Sequence, residues 1–530
     1  MECNWNSTDK IWSCPARSTM YSPNTSVGRI IFNTMRNWPK NVCQISDTDG
    51  VTLTSEQALT WAIRMAQHFK KRGLDHSSVI GIAARNTTYI LPLGVACLLN
   101  ATPFHSINPI LDEETMKFMY EITKPALIFC DKQEYTKVYA ATKDWQPEIF
   151  IIDEPIDGVP NIRSLLEFTT TEKFYQPEPL KSSDQTVAIL CSSGTTGMPK
   201  AVCISNSVLL TDNMLVNSES IFFINSGLDW ITGLWAFMFS AVFGSTRILT
   251  TKPFSPEYFI ELVKKYKINY VTMAPVHLAA LVASPAATPY ALSSLHNVNY
   301  GGGIASDATL KRIQLLCKNA TLNSAYAMTE VGLITMNFGI QNTATAGRPI
   351  PGISIRIVDE NGKNLGHNEV GEIYVHTGKD WNGYYGNPVA TRQIRDFQGW
   401  IHSGDLGYFD DQNYLYIVDR KKEVLKYQGI HYWPTEIENA IRELPQVRDV
   451  CVVGVPHELL GDAAGALVIK TPGCTISPTE IANHVAKRLP SINKQLHAGV
   501  KFTDKLPINP NGKAMRKAAL ELFVSLAAEK

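Results

Sequence analysis

Chemistry in this chain is concentrated first in the run Leu190-Cys191-Ser192-Ser193-Gly194-Thr195-Thr196-Gly197-Met198-Pro199-Lys200. An apolar stretch with strand character leads straight into hydroxyl-bearing residues and glycines. Glycine lets the backbone come close to a ligand. Successive backbone N–H groups, with the hydroxyls of Ser192, Ser193, Thr195 and Thr196, can donate to phosphate oxygens. Lys200 adds a cation at the end of the run. The spacing is not that of a Walker A loop, which requires Gly-x-x-x-x-Gly-Lys-Ser/Thr. Here Pro199 stands directly before the lysine. A flexible surface turn is the plain reading of a bare Ser/Thr/Gly tract, but a tract that follows an apolar strand and ends in Pro-Lys points to a phosphate site.

The segment from Ser192 to Lys200 resembles the phosphate-loop signature of the adenylate-forming superfamily. That superfamily includes acyl-CoA synthetases, 4-coumarate:CoA ligases, peptide-synthetase adenylation domains and beetle luciferases. Further blocks resemble that family in the same order. Tyr300-Gly301-Gly302-Gly303 is similar to the Gly-Gly-Ala block that lines the adenine and acyl sites. Tyr326-Ala327-Met328-Thr329-Glu330 is similar to the Tyr-Gly-x-Thr-Glu block. There an aromatic ring can stack on adenine, Thr329 can meet the α-phosphate, and Glu330 can hold Mg2+. Ser403-Gly404-Asp405 resembles the Ser/Thr-Gly-Asp block, whose aspartate accepts hydrogen bonds from the ribose hydroxyls. Asp419-Arg420-Lys421-Lys422-Glu423 and the following Lys426 resemble the hinge block of 4-coumarate:CoA ligases and luciferases. By that resemblance Arg420 contacts ribose and phosphate, Lys422 sits at the hinge, and Lys426 serves the second half-reaction. Asn511-Gly512-Lys513 resembles the C-terminal block, with Lys513 as the adenylation lysine. Each block alone is an ordinary turn; the ordered set covers nearly the whole chain and looks most like insect luciferase-like acyl-CoA synthetases and 4-coumarate:CoA ligases.

The resemblance implies ATP, Mg2+ and coenzyme A as cofactors and co-substrate. A carboxylic acid attacks the α-phosphate of ATP to give an acyl-adenylate and pyrophosphate; the thiol then displaces AMP. Lys513, Glu330 and the loop around Thr195 are expected to stabilise the charge gathered in the first step. A small C-terminal domain is expected to rotate between the two steps, exchanging Lys513 for Lys426.

The sequence departs from the family pattern at Ala201, Asn206 and Ala327 and around Leu228-Asp229-Trp230-Ile231-Thr232-Gly233-Leu234-Trp235, which lacks the family's histidine. Trp230 is expected to fill that place, lining the acyl pocket with Gly303 and Ala327. Trp235, Phe237, Met238 and Phe239 read mostly as core packing; those that reach the pocket favour an apolar fatty or aryl acid.

The elements that must position these groups alternate. Short β-branched runs such as Val187-Ala188-Ile189-Leu190 and Tyr270-Val271-Thr272-Met273 are separated by helical patterns over residues 56–72 and 256–266. This predicts an α/β class with largely parallel sheets. From about residue 345 the texture becomes β-rich, with a hairpin expected around Asn361-Gly362. A small α+β domain follows. The expected division is an adenylation domain over residues 1–420 and a mobile lid over residues 421–530.

Composition removes other classes. Forty-five per cent hydrophobic residues exclude a largely disordered chain. Lys+Arg and Asp+Glu both number 49, so the net charge is zero and a nucleic-acid partner is not expected. Apolar stretches at residues 89–104 and 231–249 carry breakers or a charge and read as buried helices, not spans. Ten cysteines, none in Cys-x-x-Cys spacing, read as reduced thiols. No signal peptide and no terminal Ser-Lys-Leu address are visible, which makes the cytoplasm the default compartment and leaves the peroxisome open. Two other readings stay open: a luciferase-like monooxygenase that oxidises its own adenylate, and a binding scaffold without catalysis.

Overall fold

The computed structural model describes residues 3–528 except 18–20, 23, 193–198, 211–215, 304, 306, 340–344, 380, 429, 458 and 509–513. The alternation read in the sequence is realised as layered α/β sheets. One six-stranded sheet runs Lys200–Ser205, Thr186–Ser192, Phe104–Ser106, Ile80–Ala83, Leu127–Cys130, Glu148–Ile151. It is parallel except for the antiparallel edge Lys200–Ser205. A nine-stranded sheet has a parallel centre that includes Ile221–Ile224, Thr246–Leu249, Tyr270–Met273, Asn297–Gly301 and Thr321–Met328.

Helices bury the faces of these sheets. The helix Ser55–Lys71 starts with a capping box in which Thr54 and Gln57 each satisfy the other's backbone N–H. The helix Pro256–Tyr266 begins with Ser255 as cap and proline in its first turn, and ends on Lys267 at φ 55°. The apolar stretch at 89–104 is the helix Ile90–Leu99, buried at every residue, followed by a strand. The stretch at 231–249 divides into the helix Ile231–Val242 and the strand Thr246–Leu249. Continuous apolarity alone does not separate a buried helix from a buried strand. Among the described residues no helix is long and apolar enough to cross a membrane.

The β-rich texture after residue 345 is an antiparallel sheet, but its order is not local. It runs Asn4–Asn6, Ile11–Ser13, Ser354–Val358, Gly371–His376, Ile401–Phe409, Leu415–Arg420. The first hairpin of the chain thus closes a sheet built mainly from residues beyond 350. Its Trp12 is fully buried and stacks on Phe409 at 4.2 Å. Asn361 and Gly362 do turn the chain, with Gly362 N donating to Asp359 O, yet they sit inside a longer connection between the paired strands. The last sheet contains Leu425–Tyr427, Val447–His457 and Gly461–Lys470, packed under the helices Pro434–Arg442 and Pro478–Arg488. The described cysteines are free thiols.

Candidate active site

The phosphate-loop candidates lie between two paired strands. Thr186–Ser192 and Lys200–Ser205 are antiparallel, with Ser192 opposite Lys200. Ser193, Gly194, Thr195, Thr196 and Gly197, between them, are outside the described residues. The edge strand takes a further partner: Cys203 N donates to Gly383 O at 3.0 Å and Tyr385 N to Ala201 O at 2.8 Å. Trp381 Nε1 donates to Cys203 O at 3.0 Å. These bonds set Tyr384 beside the start of that strand, where Lys200 Nζ stands 4.6 Å from the centre of its ring.

Glu330 comes to the same place from the other sheet. The strand Thr321–Met328 ends in the turn that holds Thr329 and Glu330. Glu330 is 9% exposed, and Tyr384 Oη donates to its Oε1 at 2.8 Å. Burial pushes the Glu330 carboxyl above its usual range, while the Tyr384 hydroxyl and the charges of Lys200 and Arg420 oppose that shift. The field of Arg420 reaching Glu330 links this group to a second one. There Tyr326 Oη donates to Asp405 Oδ2 at 2.6 Å. Arg420 Nε lies 3.2 Å from Asp405 Oδ1, the two residues being direct partners across antiparallel strands. Asp405 is 7% exposed, and its N–H is satisfied by Ser403 Oγ at 3.0 Å. Burial and the Asp405 carboxylate hold the Tyr326 phenol protonated, well above its ordinary range.

The glycine block divides by role. A Cβ on Gly301 would stand 2.7 Å from Ala325 O, so this glycine permits the close approach of two parallel strands. Gly302 has φ +81° and faces open space, and Gly303 borders Pro275. Ala327 follows an irregularity in the pairing with Gly332–Asn337. Trp230 is half-buried and precedes the helix Ile231–Val242. Trp235, one turn on, reaches to 4.0 Å from where a Cβ on Gly332 would lie, close behind Glu330. Phe237 and Met238 are core residues, 0% and 6% exposed.

Arg420 ends the strand Leu415–Arg420, Lys422 lies on the connection to the last sheet, and Lys426 lies in that sheet's strand Leu425–Tyr427. Lys421 Nζ pairs with Glu372 at 2.7 Å on the antiparallel sheet. Two residues on, Glu423 pairs with Arg516 at 2.7 Å. Arg516 also reaches Glu438 and donates to Val452 O at 2.7 Å. Lys422, between these anchors, is exposed, and so is Lys426, whose backbone N–H donates to Asp462 at 2.9 Å. Lys513 is outside the described residues.

Among the described residues no three His, Cys, Asp or Glu gather as a metal-binding group. A Mg2+ ion needs no such cage; it takes one or two carboxylates, nucleotide phosphates and water. A single buried carboxylate with Lys200 close by fits that chemistry.

Sequence reasoning missed Tyr384, Arg516 and Asp229. Tyr384 is flagged only by its place in Gly383-Tyr384-Tyr385-Gly386. Asp229 is buried beside Trp230, and burial pushes its carboxyl up to about 6 despite a hydrogen bond from Asn108.

Residues 31–385 match the model of the AMP-binding enzyme family, and residues 436–513 match that of the AMP-binding enzyme C-terminal domain. A 4-coumarate–CoA ligase of Petroselinum crispum is 28% identical over 495 residues, covering 90% of either chain. A luciferin 4-monooxygenase of Photuris pensylvanica is 28% identical over 491 residues, covering 88% of this chain and 89% of its own. The fold is that of ATP-bound MatB from Rhodopseudomonas palustris, with a TM-score of 0.84 at 22% identity over 94% of this chain and 99% of that one. The chain belongs to the AMP-binding enzyme family and is an adenylate-forming enzyme of the acyl-CoA ligase and luciferase superfamily.

Proposed function

We propose that the chain is an ATP-dependent carboxylic acid–CoA ligase. The observation that carries this reading is the meeting of Glu330–Tyr384 beside Lys200 with Tyr326–Asp405–Arg420. Ser192, Gly301 and Thr329 all stand at or just past the carboxyl ends of parallel strands, where open α/β sheets take their ligands.

In the first step a carboxylate oxygen of the acid attacks the α-phosphorus of ATP, and the bond to the β-phosphate oxygen breaks. Pyrophosphate leaves and the acid becomes a mixed anhydride. Asp405 accepts the ribose hydroxyls, with Arg420 beside it. Thr329, Lys200 and the loop of Ser193, Gly194, Thr195, Thr196 and Gly197 donate to phosphate oxygens. Glu330 is the residue proposed to hold Mg2+, which when bound neutralises phosphate charge. Lys513 is assigned to the α-phosphate in this step. In the second step the sulfur of coenzyme A attacks the acyl carbon, the thiol proton is released and AMP leaves. Lys426 is assigned to that step.

The same proposal includes a lid over residues 421–530 that turns at Lys422. Its support is the anchoring on either side: Arg420 and Lys421 bond to the antiparallel sheet, Glu423 to Arg516. Trp230, Gly303 and Ala327 are assigned to the acyl pocket, an apolar set that favours a fatty or aryl acid.

The test incubates purified protein with Mg-ATP and a panel of fatty and aryl acids, with and without coenzyme A. Pyrophosphate release and product masses are read together. Acyl-CoA formed by the wild type and lost in Lys513→Ala supports the reading. Adenylate that persists with coenzyme A present overturns the thiol acceptor, and oxidised product with light favours the monooxygenase.

A further inference from the structure

Glu330 is a buried carboxyl and Lys200 an ammonium close by, yet no ion pair between them is found among the described residues. The side chain between them is Tyr384. Its hydroxyl donates to Glu330 Oε1 at 2.8 Å, and its ring face lies 4.6 Å from Lys200 Nζ. A phenol can serve both neighbours at once, because its O–H is a donor and its π face attracts a cation. A direct lysine–carboxylate bond would instead use each charge to cancel the other.

The backbone holds the phenol in this position. Tyr384 N donates to Thr391 Oγ1 at 3.0 Å, and the flanking residues bond to the strand that begins at Lys200. Gly383 takes φ +80°, and a Cβ there would strike Thr391 at 2.4 Å. Trp381 packs edge-on to the Tyr384 ring at 5.3 Å. Tyr384 is itself a core residue, 6% exposed beside Trp381, so packing and these backbone bonds together fix where its hydroxyl lies.

We propose that Tyr384 is a positioning residue that holds Glu330 and Lys200 apart, keeping the carboxylate for the cation-bound nucleotide and the ammonium for phosphate. This rests on the nucleotide site proposed above. The residue acts through Glu330, so its effect must depend on Glu330 being present.

The test measures ATP affinity by calorimetry without acid or coenzyme A, once with Mg2+ and once with EDTA. Tyr384→Phe keeps the ring and loses the donor. It is expected to weaken Mg-ATP binding about tenfold, the scale of one hydrogen bond to a charged group, and to leave metal-free ATP binding unchanged. Glu330→Gln is expected to show the same selective loss. In the double variant the Tyr384→Phe effect is expected to vanish. Additive losses, or equal losses with Mg2+ and with EDTA, would overturn the proposal. Should Tyr384→Phe fail to fold by circular dichroism, the double variant is expected to fold, because no buried carboxylate is left without its donor. Failure of the double variant as well would overturn the proposal. Wild-type protein that binds no Mg-ATP would instead overturn the nucleotide site itself, a distinct result.

Discussion

Asp405 and Glu330 are 7% and 9% exposed, and each is held by a tyrosine hydroxyl, whereas Lys422, on the connection to the last sheet, and Lys426, in that sheet's strand Leu425–Tyr427, are exposed. Charges in the first region are fixed by strands from separate parts of the chain. Charges in the second lie on exposed side chains. Electrostatic stabilisation of a transition state works best when donors are already aimed, so the region proposed for the nucleotide has the construction of a preformed site. On the proposed function, Lys426 acquires its working position when the element carrying it docks. On the proposed function, the contrast is what a two-step enzyme with one movable unit requires.

The largest effect belongs to the fixed region. Asp405→Ala removes a buried carboxylate and leaves Arg420 and Tyr326 facing each other without it. Loss of about 3 kcal/mol or more is expected, read as a hundredfold or greater fall in kcat/KM for ATP. A change under tenfold would mean the pair is not part of the site.

Arg516→Met tests whether the C-terminal unit is tied to the connection. Glu423 is more than a third exposed, so that pair is largely screened, but Glu438 is buried. A loss of about 2 kcal/mol in this unit's unfolding free energy is expected, read as a lower denaturant midpoint. No shift would show that Arg442, 3.5 Å from Glu438, suffices alone.

Asp229 gives a pH test inside the body. Its folded value of about 6 lies above the ordinary carboxyl value of 3.8. Between these values the native state binds more protons than the unfolded chain. Its contribution to stability is therefore full below pH 4 and lost as pH rises through 6. Asp229→Asn does not titrate, and relative to wild type it is expected to gain about 2–3 kcal/mol between pH 4 and pH 8. A variant-to-wild-type difference independent of pH would place the carboxyl in a wetter environment than its burial indicates.

The smallest effect on stability is expected at Lys426. Lys426→Ala should change unfolding free energy by less than about 0.5 kcal/mol, as for most exposed positions. On the proposed function it should spare pyrophosphate release and slow thioester formation about tenfold or more in single-turnover assays. Equal loss in both steps would remove the division between the two regions.

Much of this was legible in the sequence because its signals are local. The strand over Tyr270–Met273, the helix over Pro256–Tyr266 and the run into Ser192 need only neighbours to be read. Ser192, Lys200, Glu330, Asp405 and Arg420 are marked as candidates by their motifs, and the fold brings the last four near one another. What escaped depends on distant pairing. Tyr384 meets Glu330 across 54 positions of chain. The hairpin Asn4–Asn6 and Ile11–Ser13 joins strands beyond residue 350. Asp229 looks like any loop aspartate until burial removes its water. No periodicity marks such relations.

The most direct test of the central claim is isotope exchange between pyrophosphate and ATP in the presence of Mg2+ and each acid of the panel, without coenzyme A. The account predicts exchange that depends on an apolar acid, is abolished in Lys513→Ala and persists in Lys426→Ala. Exchange absent with every acid, from protein that binds Mg-ATP, would contradict it.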